Sequence, residues 1–405
     1  MPVRVLISLR AVSLAVALTM LTVACGSTTP SPPALGTSTL APTESPSASP
    51  SAETSPSESP SPTPTPIPTP ILVPAPLTGL LVSPAAARRH PIAVMIDDLS
   101  PARPQSGFSA ASVVWQAPAE GGIPRYMMIF GENQPTAVGP VRSARYYYIA
   151  WAAEWRAMYA HAGGSPQAID TLRAQGSGKL VYNADEFAWG GYFHRISSRF
   201  APHNLYTDGT QLDRLAKRIG AKAGDYKPIW AFAPDRPLEQ RPVGGTISFA
   251  YPTSTIRYDY DRTTNTYLRT VSVEGKQKDA ATKKRVGPKN VIVMLMRFGP
   301  LNDGHPKKHR LEATVIGSGR AWISTNGTTI QGTWRKKTLT GPTKFYTRAG
   351  AEVTLTAGQT FVNVMTTGTV VKVVKGGPPP VVAPGLSPSP SPSANALSDW
   401  TRLLV

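Results

Sequence analysis

The chain has 405 residues, 41% of them hydrophobic, with a net charge of +18 and a pI near 10. That length accommodates two domains once tails are set aside, and the charge directs the chain toward anionic partners: envelope polymers, lipid headgroups or nucleic acid. Cys25 is the only cysteine, which excludes an intrachain disulfide, so any domain stands on packing alone.

Arg4 and Arg10 precede an uncharged apolar run of 14 residues, Ala11 to Ala24. The run is short for a membrane span and suits a signal-peptide core. Thr22-Val23-Ala24-Cys25 resembles a bacterial lipoprotein cleavage box, with Leu21 one place further from the cysteine than the pattern asks. Residues 1–25 are therefore expected to be a lipoprotein signal peptide, with Cys25 the acylated, palmitate-bearing N-terminus of the mature chain. The alternative is an ordinary secretory signal with an incidental cysteine. The first reading places the protein on the outer face of the bacterial cytoplasmic membrane, the second outside the cell. Neither meets genomic DNA, so nucleic acid is not expected. The partners that remain are the membrane, through the anchor, and an anionic cell-wall polymer or lipid phosphate.

Residues 26–76 read as a disordered Pro/Ser/Thr linker, with Glu44, Glu53 and Glu58 its only charges. Its Pro-Thr repeats favour polyproline II, which at ~3.1 Å per residue gives a reach of up to ~150 Å. A first domain is expected over 77–236. Pro91 to Ile96 is a continuous apolar run and reads as a buried strand. Ser112 to Gln116, Tyr126 to Phe130 and Ala157 to Ala162 read as further strands. Ser143 to Arg156 lacks Gly and Pro and predicts a helix with core aromatics. Ser165-Pro166 opens a second helix to about Ala174, and Thr207 or Asp208 caps a third, about Thr210 to Ile219. Strands alternating with helices predict an α/β layered domain.

A second domain is expected over 241–374. Ten short β-rich segments between Thr246 and Met365 are punctuated by Gly, Asn and Asp, with Asn326-Gly327 a strong hairpin signal. They predict a sandwich or barrel-like domain, so the chain is α+β overall. Between Arg257 and Arg348 there are 19 Lys and Arg against 6 Asp and Glu, which puts most of the excess charge here. Residues 375–405 read as a disordered tail, and no internal repeat is present.

Several ordered strings resemble the YerB-type family of bacterial envelope lipoproteins, whose function is unknown. They are Ile92 to Asp97, Ala102 to Gly107, Ala117 to Ile123, Gly139 to Arg145, His161 to Ser165 and Pro202 to Tyr206. In the second half they are Asn290 to Val293, Gly317 to Gly319, Gly332 to Lys336 and Gly358 to Thr360. The resemblance covers about Leu77 to Met365 and implies two domains but no reaction. The chain departs from the pattern at Asp98, where Asn is usual, Gln116, where Glu is expected, Pro124, where Thr is expected, and Lys276 to Lys278, where His is expected.

The same strings hold the candidate site. Arg125, Arg142 and Arg145 present guanidinium forks suited to carboxylate or phosphate. Ser143 and Ser165 fall at predicted helix starts, where free N–H groups favour an anion. With Arg103, Gln105, Glu120, His161, Arg199, His203 and Asn204 they form the predicted ligand-binding set. His161 and His203 are candidate acid/base groups, with Asp97 at a strand end beside them. An alternative reading pairs the arginines internally with Asp97, Glu120 and Glu154. No Cys pair is present and no metal is assigned, and no cofactor either. Ser165 lacks the elbow of a hydrolase nucleophile. Two function classes follow. One is a lipoprotein that binds an anionic wall or lipid-linked ligand. The other is an envelope enzyme for phosphoryl or glycosyl transfer, or hydrolysis, acting through the same pocket. Binding leads, because no complete nucleophile–base set can be named.

Overall fold

The apolar run at Ile92–Ile96 forms β1 and is buried at every position, as a strand covered on both faces must be. The structure is a computed structural model that describes residues 70–380. Around β1 it builds a ten-stranded mixed sheet. The first half of the chain contributes β2 (Val113–Pro118), β3 (Pro124–Phe130), β4 (Met158–His161) and β5 (Tyr182–Asp185), with helices α1 (Tyr146–Ala152), α2 (Pro166–Gln175) and α3 (Gly209–Arg218). The second half begins with a separate ladder, β6 (Thr246–Tyr251), β7 (Ser254–Asp261), β8 (Thr266–Val271) and β9 (Gly275–Lys276). It continues with β10 (Asn290–Met296), the hairpin of β11 (Phe298–Pro300) and β12 (Leu311–Ala313), then β13 (Gly317–Thr325), β14 (Thr328–Lys336), β15 (Lys344–Thr347), β16 (Thr360–Thr366) and β17 (Lys372–Val374).

The large sheet runs β15-β14-β13-β10-β16-β2-β3-β1-β4-β5, and a five-stranded sheet runs β9-β8-β7-β6-β17. The two halves of the sequence join where β16 pairs in parallel with β2, Thr360 opposite Val113 and Asn363 opposite Gln116. The described residues thus belong to one compact unit, and the sandwich or barrel expected for 241–374 shares its main sheet with the first half. The protein is mostly strand with few helices. The alternation expected of an α/β layered domain is thin, because only β4–α2–β5 forms a consecutive strand–helix–strand unit with its strands in parallel.

Alternation along the strands sends side chains to two cores. Ala93, Met95, Trp115, Met127 and Ile292 face α1 and α2, where Trp115 stacks on Trp151 with centroids 4.7 Å apart. Val94, Ile96, Val114, Met128 and Val293 face the five-stranded sheet and α3. The helix expected from Ser143 starts only at Tyr146. Ala144 bridges to Gly164 in β fashion and Arg145 is extended, so residues 142–145 pair with a neighbouring loop instead of coiling. Ser165 does cap α2 in backbone terms, but its hydroxyl makes no capping bond. Asp208 caps α3 by accepting from Gln211 N at 2.9 Å.

Order begins before the expected linker end, since Val73–Pro74 pairs with Leu81–Val82. It also extends past residue 374, where Gly377 bridges Val243. The signal peptide, Cys25, the linker to residue 69 and the tail from residue 381 lie outside the described residues. Among the described residues no helix is long and apolar enough to cross a membrane.

Candidate functional site

Asp97 follows directly on β1 and is where three loops converge. Its N–H donates to Pro140 O (3.0 Å), and Arg142 N–H donates to Met95 O (2.9 Å), so residues 140–142 run along the end of β1. The same segment pairs with residues 205–207, through Val138 N to Thr207 O (2.8 Å) and Val141 N to Leu205 O (2.7 Å). That pairing delivers the turn carrying His203. The three cis peptide bonds, Arg103–Pro104, Gly139–Pro140 and Ala201–Pro202, lie in these surrounding loops.

His203 Nδ1 lies 2.7 Å from Asp97 Oδ2, and Arg142 Nε lies 3.4 Å from the same oxygen. Leu99 N–H donates to Oδ1 (3.1 Å), and Gln105 Nε2 donates to the Asp97 carbonyl (3.0 Å). Asp97 is buried, while the side chains of His203 and Arg142 stay 16% and 24% exposed. Arg142 Nε makes no hydrogen bond despite its 3.4 Å approach to Asp97, and neither its terminal nitrogens nor His203 Nε2 have a hydrogen-bond partner among the described residues. An ionised carboxylate only accepts, so Asp97 holds the imidazole proton on Nδ1 and turns Nε2 outward. A neutral His203 then presents a base at Nε2, and a protonated one presents a donor beside the guanidinium.

The other arginines are engaged inside the protein. Glu120 takes Arg145 Nε on Oε1 and Arg125 Nη2 on Oε2 (3.4 Å), and Arg125 Nη1 donates to Ser143 O (2.8 Å). Burial pushes the Glu120 carboxyl up, but the Arg145 hydrogen bond and the two guanidinium charges more than offset it and hold it below the usual carboxylate range. Burial, with Arg145 beside it, lowers Arg125 to about 10. Arg199 staples a loop, donating to Ala102 O (2.6 Å), Pro104 O (2.7 Å) and the Tyr206 hydroxyl (2.8 Å). Asn204 accepts from Arg195 Nη1 (2.9 Å) and donates to Ile196 O (3.3 Å). His161 is fully buried between Gly163 O and Asn183 Oδ1, both 2.8 Å away. Gly163, with φ +60, is faced by the exposed Phe187 ring, 2.9 Å from where a Cβ would stand. Ser165 is buried at the start of α2. The structure thus gathers Asp97, Arg142 and His203 at a half-open point and distributes the other candidates among internal contacts. Among the described residues no group of three or more His, Cys, Asp or Glu is placed to hold a metal.

A buried polar network lies one residue along. Asp98 Oδ1 accepts from Arg103 Nε (2.9 Å) and Gln105 Nε2 (3.0 Å), and Oδ2 accepts from Gln116 Nε2 (3.0 Å). Gln116 Oε1 in turn accepts from Arg269 Nη2 (2.6 Å). Arg269 also reaches the hydroxyls of Tyr126 and Tyr258, each at 2.9 Å, and Gln277 Oε1. Burial raises the Asp98 carboxyl against the pull of Arg103 and Arg269. The network joins the five-stranded sheet to the large one directly behind Asp97.

The family of proteins of unknown function DUF3048 matches this chain through its N-terminal domain at residues 77–222 and its C-terminal domain at residues 246–362. YerB of Bacillus subtilis (strain 168), which bears a provisional lipoprotein name, is 30% identical over 267 residues, 65% of this chain and 78% of YerB. The chain belongs to the DUF3048 family. The crystal structure of YerB from Bacillus subtilis superposes with a TM-score of 0.65 at 24% identity, covering 74% of this chain and 99% of that one, a likeness of fold. The YerB-type resemblance of the sequence is thereby established in both halves.

Within this family member, three of the four departures noted in the sequence, Asp98, Gln116 and Gln277, meet in the buried network. Asp98 supplies the one carboxylate of that network and Gln116 the amide that links it to Arg269. Sequence reasoning overlooked Arg269. Its signal was available: in β8, Tyr267, Arg269 and Val271 occupy the inward positions of an alternating strand, and a charge there requires internal partners.

Proposed function

We propose that this chain is an envelope lipoprotein, anchored through Cys25, that binds an anionic group of a wall polymer or lipid-linked ligand at Asp97, His203 and Arg142. The supporting observation is the set of unused donors: Arg142 shares one carboxylate oxygen with His203 and keeps its terminal nitrogens unpaired at the surface. A guanidinium so oriented suits a phosphate or carboxylate. The provisional name of YerB and the pattern of residues 1–25 support the anchor. Arg145 and Arg125, engaged by Glu120, act as support for the loop and not as ligands.

The test is equilibrium binding of poly(glycerol phosphate) to the purified full chain. Losing a charge-assisted hydrogen bond of about 1.5–3 kcal/mol predicts binding roughly tenfold to a hundredfold weaker in Arg142→Ala. Affinity unchanged in a folded Arg142→Ala protein would remove the proposal. A second reading, an envelope enzyme, is favoured by one feature: the Asp97–His203 pair has the form of an oriented acid/base. Turnover of wall-polymer precursors that vanishes in His203→Gln would establish that reading in place of simple binding.

A further inference from the structure

β11 and β12 pair antiparallel with Pro300 opposite Leu311, and the loop between them folds over a cleft of about 620 Å³. That size is typical of small-molecule sites, and no residue of the Asp97 cluster lines it. Its apolar lining is Phe298, Pro300, Leu301, Pro306 and Leu311. Phe298 is braced edge-to-face on Tyr147 of α1 with centroids 5.6 Å apart. Basic groups share the lining. Arg310 gives Nη1 to Asp303 at 2.5 Å and keeps its other nitrogens free. His305 and His309 also line the cleft. Lys307 and Lys308 do not themselves line the cleft but sit in the short turn between its lining residues Pro306 and His309, exposed and without an acidic partner among the described residues. Asp303, the only acid in the lining, is already committed to Arg310.

Apolar lining beside unpaired cations suits an alkyl chain that ends in an anionic head such as a phosphate. We propose that this cleft binds a single anionic amphiphile, with the chain along Phe298, Leu301 and Leu311 and the phosphate between Arg310, Lys307 and Lys308. The site is separate from the Asp97 cluster and does not depend on the function proposed for it.

The experiment is calorimetric titration of the full chain with decyl phosphate below its micellar concentration, alongside inorganic phosphate, decyl maltoside and phosphatidylglycerol vesicles. One-to-one binding of decyl phosphate is expected, with inorganic phosphate and decyl maltoside each at least tenfold weaker. Each lysine removed in Lys307→Ala and Lys308→Ala weakens it by about fivefold at low salt. Leu301→Asn, at a half-buried loop position, weakens it while near-ultraviolet dichroism stays that of the wild type. A repeat in the Arg142→Ala background removes any share bound at the Asp97 cluster, and the responses to Lys307→Ala and Leu301→Asn persist there. Equal affinity for the neutral maltoside or for bare phosphate overturns the proposal. So does loss of binding in Arg142→Ala alone, or attachment only to vesicles with no response to Leu301→Asn.

Discussion

Replacing Arg269 by Met removes the guanidinium that ties the five-stranded sheet to the large one. Met fills much of the volume, so the cost falls on the polar partners left behind. Tyr126 keeps a weak donor in Gln277 Nε2 (3.5 Å), and Tyr258 keeps Asn363 Oδ1 (3.3 Å). The amide oxygens of Gln116 and Gln277 lose the donor that satisfied them, at about 1–3 kcal/mol each. Asp98 also loses one of its two nearby cations while remaining buried. Together these give a loss of about 3–5 kcal/mol, the range for breaking a buried charge network. That is a large part of a typical 5–15 kcal/mol stability. Urea unfolding followed by tryptophan fluorescence reads it as a midpoint lowered by about 1–1.7 M for a slope of ~3 kcal/mol/M. Adding Asp98→Asn to Arg269→Met should cost at least ~1 kcal/mol less than the sum of the single changes, because the carboxylate and guanidinium share one network. A midpoint shift below about 0.3 M, or strict additivity, would refute the view that this network carries the junction between the sheets.

Moving the carboxylate across the Asp98–Gln116 hydrogen bond, with Asp98→Asn and Gln116→Glu together, should restore most of the stability that either change alone removes, read from the same urea curves. Lys336 Nζ meets Glu154 Oε1 at 2.8 Å with both side chains sealed from solvent, so Lys336→Met should cost about 3–5 kcal/mol, and adding Glu154→Gln should recover part of it, measured by calorimetry. For pH, the Glu120 carboxyl is held below its ordinary value, so its contribution is present above the unfolded value and is lost as pH falls through the folded one. Glu120→Gln should therefore flatten the acid side of the stability profile. Burial raises Glu154 despite Lys336, so its ionisation costs stability as pH rises from the unfolded carboxylate range through the folded value, and Glu154→Gln should remove that slope.

Much of the fold is written in local pattern. The apolar run of β1, the alternation in β7 and β8, and Asn326-Gly327 between β13 and β14 each announce their element. The parallel pairing of β16 with β2 does not, because those strands lie far apart in sequence and nothing in either names its partner. The start of α1 was set too early for a similar reason. Residues 142–145 carry no helix breaker, and only the loop at 162–165 holds them extended. At the site, residue types pointed to the right loops. Whether an arginine meets a ligand or Glu120 depends on packing: Arg145 is buried against Glu120, while Arg142, three residues earlier, ends at the surface. Arg269 lies outside the turns and glycines that mark the loops, and its only signal is a charge at an inward strand position.

The most direct test of the anion site is nitrogen NMR of the full chain with its six histidines labelled, assigned through His203→Gln, as poly(glycerol phosphate) is added. The prediction is a saturable shift of His203 Nε2, with Nδ1 still bonded to Asp97, that disappears in Arg142→Ala. Saturation of the polymer with no change at His203 would contradict the central claim.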